Sequence, residues 1–398
     1  MRTSIYLATK NITTHKKLFF LVVIILIFSF INLTFFTSLN NGIEKVTNEK
    51  LRDYSFGDLR IMPDEDDEFI KNTPEILKKL ERIPEVKIAS ERIIVTGTAS
   101  DGTNSFFANI LGVNINKELH RDSHHKVVAR GDYISNGRPN HILLGQEVVG
   151  RLDDKPTTIE FPPLDIGVGE ELEMVYQNNV KKNYTVGGIY TADFWIPDFD
   201  LVLPIKETRD QFNLPETLSS EIILDIEEGT NKEELVKEIK NSGIDLEIED
   251  SVKELAIADN ILEATRVSTF LATLMGAFTT FIVVFILIYI NINHNKKQLG
   301  ILKATGIKGE DIVKSYVILS FAYAITGIIL GMIALLGIIF YLTNNPIYLP
   351  VGYVYPIVTH TEIILGTVII VFSSVAGGIF ASYKILRENI VDILRGNK

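Results

Sequence analysis

His124 and His125 are the only adjacent histidines in the chain, and imidazoles are the usual starting point of a metal site. Neighbouring side chains diverge on a strand or helix, and no His-Glu-x-x-His spacing accompanies the pair. It therefore reads as an exposed loop. The run Asp64-Glu65-Asp66-Asp67-Glu68 could attract calcium, but it lacks the glycine and distal glutamate of a calcium loop and reads as a solvated acidic loop. Gly167-Val168-Gly169 is followed by two glutamates, lacks a third glycine in position and opens a strand, which argues against a dinucleotide fingerprint. No Gly-x-x-x-x-Gly-Lys-Ser/Thr run and no serine nucleophile elbow occur in the 398 residues. The absence of cysteine removes disulfides and thiolate chemistry. No catalytic, metal or cofactor-binding residue is expected on this chain, and no nucleic-acid partner. What remains is Gln298–Gly306, a short basic segment between two long apolar runs. It could receive force from a partner.

The elements that must position this segment are membrane helices. A bilayer takes roughly 20 helical residues to cross, and four apolar runs qualify: Leu18–Leu39, Val267–Asn291, Val313–Leu342 and Ile363–Tyr383. The first has no small-residue cleavage site before Asn40 and reads as an uncleaved signal anchor. Arg2, Lys10, Lys16 and Lys17 precede it. Lys296, Lys297, Lys303, Lys308 and Lys314 follow the second run, and Lys384, Arg387, Arg395 and Lys398 follow the fourth. Tyr341–Glu362 has no Lys or Arg. The positive-inside rule then places both termini and the second loop in the cytoplasm. Residues 41–266 carry 26 basic and 45 acidic residues, a net charge of −19, whereas the rest carries 13 and 5, a net of +8. Two compartments of opposite charge are implied.

The expected organisation is a cytoplasmic amphipathic segment 1–17, a first span 18–39 and an extracytoplasmic α+β domain with stalk helices over 40–266. A second span 267–293, a cytoplasmic coupling loop 294–312 and a third span 313–342 follow. A short external loop 343–361, a fourth span 362–383 and a cytoplasmic tail 384–398 complete it. Stalk helices are predicted over 41–54 and 247–266, interrupted only at Gly42. Inside the domain, helices are predicted over Thr73–Arg82, Ile205–Phe212 and Asn231–Ser242. Strands are predicted over Val86–Ala99, Phe106–Val113, His141–Leu144, Glu171–Tyr176, Tyr184–Tyr190, Leu201–Leu203 and Ser220–Ile226. Such a length suits two lobes. Gly327 and Gly331 in the third span, and Gly377 and Gly378 in the fourth, are small residues spaced to let membrane helices approach closely. No charged residue sits deep in any span, which disfavours an ion or proton relay.

Three stretches resemble the MacB/FtsX-type permeases of ABC transporters. Ala8-Thr9-Lys10-Asn11-Ile12 with Lys16-Lys17 is similar to the family's basic N-terminal segment on the inner membrane surface. Gln298–Gly306 is similar to its Glu-Ile-Gly-Ile-Leu-Lys-Ala-Leu-Gly, departing at Gln298, Leu299 and Thr305. Ile390-Val391-Asp392-Ile393-Leu394-Arg395 is similar to its closing Pro-Val-Glu-Ala-Leu-Arg, with Ile390 in place of proline. Ile142-Leu143-Leu144-Gly145-Gln146-Glu147 resembles the family's strand-to-helix step, and Val186-Gly187-Gly188-Ile189-Tyr190 one of its strands.

The resemblance implies a non-enzymatic permease subunit of a bacterial cell membrane, working as a homodimer or heterodimer with an ABC ATPase subunit in trans that carries the ATP. It implies mechanotransmission to the external domain and export or extraction of an amphipathic substrate such as a peptide, antibiotic or lipoprotein. An FtsX-like transducer controlling a cell-wall hydrolase is the alternative. Gly300, Ile301, Leu302, Lys303, Ala304 and Gly306 are then the expected ATPase-coupling residues. The two glycines would bracket a helix over 301–305, Ile301 and Leu302 would fill an apolar groove on the ATPase, and Lys303 would meet acidic membrane lipid or the partner.

Overall fold

The computed structural model describes residues 2–64, 66–121, 123–138, 140–150, 162–250 and 256–386. In chain order the elements begin with helices α1 (Arg2–Thr14) and α2 (Lys16–Lys50), a π-helical turn Leu51–Phe56, β1 (Leu59–Met62), α3 (Thr73–Leu80), β2 (Val86–Ser100) and β3 (Ser105–Val113). Next come α4 (Ile115–Glu118), a 3-10 turn His124–Val127, β4 (Val128–Gly131), β5 (His141–Gly145), β6 (Glu171–Tyr176), β7 (Lys181–Tyr190) and α5 (Trp195–Asp198). Strand β8 (Leu201–Pro204), α6 (Ile205–Phe212), β9 (Glu221–Ile226), α7 (Lys232–Asn241) and β10 (Glu247–Asp250) complete the insertion. The chain ends with α8 (Ala256–His294), α9 (Lys296–Ala304), α10 (Gly309–Asn344), the short strands β11 (Ile347–Leu349) and β12 (Gly352–Val354), and α11 (His360–Leu386). Two compact units result. One comprises 1–43, 262–347 and 354–398, and the other comprises 44–261 with 348–353.

Among the described residues, four helices are long and apolar enough to cross a membrane: Lys16–Phe56, Arg266–His294, Gly309–Asn344 and His360–Tyr383. Val22, Leu26 and Phe30 of α2, Val284 and Ile288 of α8, Leu319 and Tyr323 of α10, and Ile370 of α11 form their common core. Other faces expose Phe20, Phe28, Phe270, Phe278, Phe340 and Phe372, as a lipid-facing surface requires. Glycines set the helix spacing. A Cβ on Gly327 would lie 2.6 Å from Leu26 Cβ, and one on Gly331 would lie 3.0 Å from Phe30 Cδ1. On α11, a Cβ at Gly377 would lie 2.8 Å from the Phe281 carbonyl oxygen, and one at Gly378 would overlap Ser320 Oγ. Gly42 does not interrupt α2. It leaves room for the Tyr355 backbone, beside which Ile357 N donates to the Ser38 carbonyl at 2.8 Å.

The inserted unit is α+β. Among the described residues ten strands form one sheet, in the order β10-β1-β9-β2-β3-β8-β5-β7-β4 with β6 joining β2 and β7. The fifteen-residue β2 pairs with β9 along Val86–Arg92, then with β3 along Arg92–Ser100, and with β6 along Gly97–Ser100. Because β7 pairs both β6 and β5, and β8 pairs both β5 and β3, the path β2-β3-β8-β5-β7-β6 closes on itself. Closure removes exposed strand edges. It encloses Ile93, Ile110, Leu144, Leu172, Met174 and Leu203 in one core. A second core forms where α3 and α7 cover β1 and β9, with Leu77, Leu80, Leu235 and Ile239 against Leu59, Ile61 and Leu224.

Two expectations fail here. Residues 247–250 are the edge strand β10, in register with β1 from Leu59↔Asp250 to Met62↔Glu247, and not a stalk helix. The pairing is favoured because Glu249 meets Arg60 across the strands at 2.6 Å. Helix resumes at Ala256; Leu255 lies outside the described residues. After β5, Gln146–Val148 form a turn in which Val148 N donates to the Gly145 carbonyl at 3.1 Å. The strand-to-helix step is absent there. The proposed C-terminal motif at 390–395 lies outside the described residues.

A buried ionic cluster fastens the π-helical turn to the sheet. Arg92 of β2 donates to the Ser55 carbonyl and lies 3.2 Å from Glu118 of α4. Arg121 reaches the same Glu118 oxygen at 3.3 Å and clasps Asp225 of β9 with two bonds of 2.6 and 2.9 Å. Burial opposes ionisation of Glu118, but Arg92 and Arg121 outweigh it and hold the carboxyl at about 2. His124 belongs to this core instead of an exposed loop. Its ring stands edge-on to Tyr190 at 4.7 Å, and neither nitrogen has a hydrogen-bond partner among the described residues.

Burial lowers the His124 pKa from 6.5 to about 3. The neutral ring contributes stability above pH 6.5 that is lost as pH falls toward 3, because the unfolded chain binds the proton first. Asp198 and Asp200, pushed up to about 7 by burial, act in the opposite sense: their contribution is present below pH 4 and fades as pH rises through 7. A His124→Phe variant isolates the histidine. Its unfolding free energy should fall less than the parent's between pH 6.5 and 4.5, by a difference on the order of 1–3 kcal/mol. Parallel pH profiles would refute this account.

Candidate coupling site

The basic segment is helical, but its helix begins earlier than Gly300. Only Asn295 separates α8 from α9, and the bonds Asn295 N to Asn291 O at 3.1 Å and Leu299 N to Asn295 O at 3.0 Å carry the helical ladder across it. Gly300 is buried in the middle of α9 and does not bracket it. The end at Gly306 is as the sequence suggests. With φ +95°, Gly306 adopts the left-handed conformation that glycine tolerates. Ile307 N bonds to the Leu302 carbonyl and Gly306 N to that of Lys303, both at 3.1 Å. This is a Schellman stop. Leu302 and Ile307, the two positions that are commonly apolar in such a stop, both pack on the membrane core. Glu310 and Asp311 then occupy the first turn of α10, where the helix dipole favours negative charge.

The faces of α9 separate its residues. Leu299 and Gly300 are buried, Leu302 packs inward, and Lys303 is half-buried. Lys297, Gln298, Ile301, Ala304 and Thr305 are exposed, with Ile301 at 57%. Leu302 therefore does not join Ile301 on an outward surface; helical geometry turns adjacent side chains about 100° apart.

A polar network that the sequence reading missed holds α9 from behind. Asn11 of α1 and Asn291 of α8 exchange two amide hydrogen bonds of 2.9 Å. Asn295 adds a bond to Asn291 at 3.1 Å and one to His15 at 3.0 Å, and Tyr316 of α10 donates to Asn291 at 3.4 Å. Part-buried amides that satisfy one another are directional, so α1 is tied to the α8–α9 junction. Asn291 and Asn295, four apart at the end of an apolar helix, were the available signal.

Residues 270–390 match the model of the FtsX-like permease C-terminal family, and residues 19–242 match that of the MacB-like periplasmic core domain, more than half of the chain. The chain belongs to the MacB/FtsX-type permeases. It is accordingly an ABC transporter permease subunit, a membrane protein whose MacB-like α+β extracytoplasmic domain lies between its first and second spans. Permeases of this family are generally non-enzymatic and generally work with an ATPase partner. No curated protein matches the chain. Among solved structures, the periplasmic region of MacB from Actinobacillus actinomycetemcomitans is 12% identical with a TM-score of 0.33, covering 48% of this permease and 87% of that chain. The extracellular domain of the noncanonic ABC-type transporter YknZ from Gram-positive bacteria is 13% identical with a TM-score of 0.30, covering 51% and 93%. A domain of a permease protein from Porphyromonas gingivalis is 13% identical with a TM-score of 0.29, covering 48% and 84%.

Proposed function

We propose that α9 is the docking element for a separate ATPase subunit, and that its displacement on ATP binding and hydrolysis is passed to the extracytoplasmic domain. The purpose is export or extraction of an amphipathic substrate. The observation that carries this reading is the exposed stripe Lys297, Ile301 and Ala304–Thr305 on a helix fixed from behind by a Schellman stop and an amide network. A docking surface that yields would dissipate force; a backed one transmits it. The helix α8 continues without a break for 39 residues, roughly 58 Å at 1.5 Å per residue, so an axial push at α9 has a stiff path. The positive-inside rule places α9 and both termini in the cytoplasm. The grouping of Tyr348–Tyr353 with the inserted domain supports the same orientation. The working unit is two permeases, identical or paralogous, with two ATPases.

Ile301→Asp puts a charge into the docking contact without touching the packed face. The permease isolated from its own membranes should retain an ATPase subunit, and the variant should retain at least about tenfold less, as expected when a buried apolar anchor is lost. Leu302→Ala should instead lower thermal stability, since Leu302 packs on the membrane core. Full ATPase recovery with Ile301→Asp would sink the docking role of α9.

A further inference from the structure

The extracytoplasmic domain holds a cleft of about 250 Å³ beside the ionic cluster, with walls from Phe56, Leu111, Trp195 and Phe199 and a floor that includes Asp200 and Glu221. Among the described residues no basic side chain lines it. Trp195 and Phe199 meet edge-on at 6.0 Å. Both carboxylates are buried. Asp200 accepts one hydrogen bond within the cleft, from Asn109 at 3.3 Å. Glu221 Oε1 accepts none among the described residues. The cations nearest Glu221, Arg92 and Arg60, stop at 3.9 and 3.8 Å, beyond hydrogen-bond distance.

We propose that this cleft binds a small amphipathic cation, with a protonated amine or guanidinium at Asp200 and Glu221 and an apolar body between Phe56, Trp195 and Phe199. Charge complementarity selects the class. A cation adds a donor at Asp200, beside the one from Asn109, and a positive charge next to buried Glu221; donor bonds to a charged acceptor are the strong ones. Aromatic faces attract the same head group within about 6 Å. A neutral amphiphile would leave the carboxylates as they are, and an anion would be repelled. Burial raises the pKa of Asp200 to about 7, so an arriving cation would also favour loss of its proton. That the bound cation is what the transporter moves rests on the proposed function; the binding itself does not.

Trp195 is the single tryptophan of the chain, so its emission reports on the cleft. The full-length permease in lipid nanodiscs would be titrated with phenethylammonium, phenethyl alcohol and 3-phenylpropionate. A saturable change is expected with the amine, at least about tenfold weaker with the alcohol and none with the acid, the step that one charge-assisted hydrogen bond supports. Asp200→Asn should weaken the amine about tenfold. Asn109→Lys, at an exposed position on the rim, should abolish the response by placing its own ammonium in the cleft. It keeps the test decisive if the Asp200 variant does not fold. Equal responses to amine and alcohol, or amine binding unchanged in a folded Asp200→Asn or Asn109→Lys protein, would overturn the proposal. Ile301→Asp should leave the titration intact, so ATPase docking and cation binding can fail separately.

Discussion

Arg92→Ala should cost the extracytoplasmic domain about 3–5 kcal/mol, the usual consequence of removing one partner from a buried ionic contact. The side chain is 1% exposed and its partner Glu118 fully buried. Its loss would leave the Ser55 carbonyl without that donor and Glu118 facing Arg121 alone. Glu118 could then no longer be held at about 2, because burial would meet only one guanidinium. Domain stabilities are only about 5–15 kcal/mol, so a fall in melting temperature of roughly 10 °C or more is expected. Arg138→Ala is the control. That residue lies 3.8 Å from Asp132 with both side chains largely in solvent, and such pairs contribute about 0–1 kcal/mol. Thermal denaturation of the purified permease, followed by near-ultraviolet circular dichroism, separates the two. If both variants melt together with the parent, the cluster is not what joins the π-helical turn to the sheet.

Gly377→Leu should separate α11 from α8. Its Cβ would press on the Phe281 carbonyl oxygen at 2.8 Å and on Phe285 N at 3.1 Å. These are backbone atoms, which have no rotamer to change. Overpacking costs about 1–3 kcal/mol where neighbours can shift, and the effect should reach or exceed the upper end here. Gly337→Leu on α10 adds the same bulk where nothing lies within 4 Å. The expected result is early aggregation of the Gly377 variant on heating in detergent, with Gly337→Leu matching the parent. Equal behaviour would show that the glycine spacing does not set this helix contact.

The differences between sequence and structure follow from range. Helix α6 and strand β6 occupy the predicted residues Ile205–Phe212 and Glu171–Tyr176, since each carries its own periodicity. Strands β1, β4 and β10 are four residues long and carry charge at Arg60, Arg130 and Glu249, which reads as loop or helix surface, whereas the equally short β8 is wholly apolar and legible. Charged residues are common on edge strands, where they discourage pairing with other chains. Glu118 and Arg121, three apart, look like any solvated helix pair. Only Arg92 and Asp225, distant in sequence, turn them into a core. His124 gave no sign of burial, because nothing local specifies the rings of Tyr54 and Tyr190 around it.

By itself the sequence determined four apolar helices, an acidic α+β insertion between the first two and a basic segment after the second, since length, hydropathy and charge are additive along a chain. Tertiary structure decided which side of that segment is presented. Helical phase turns Ile301 outward and Leu302 inward, and the amides of Asn11, Asn291 and Asn295 meet only once α1 and α8 pack. It also decided the closed ring of strands and the aromatic cleft with its buried carboxylates. Those depend on contacts between residues far apart in the chain, and no local pattern encodes a partner.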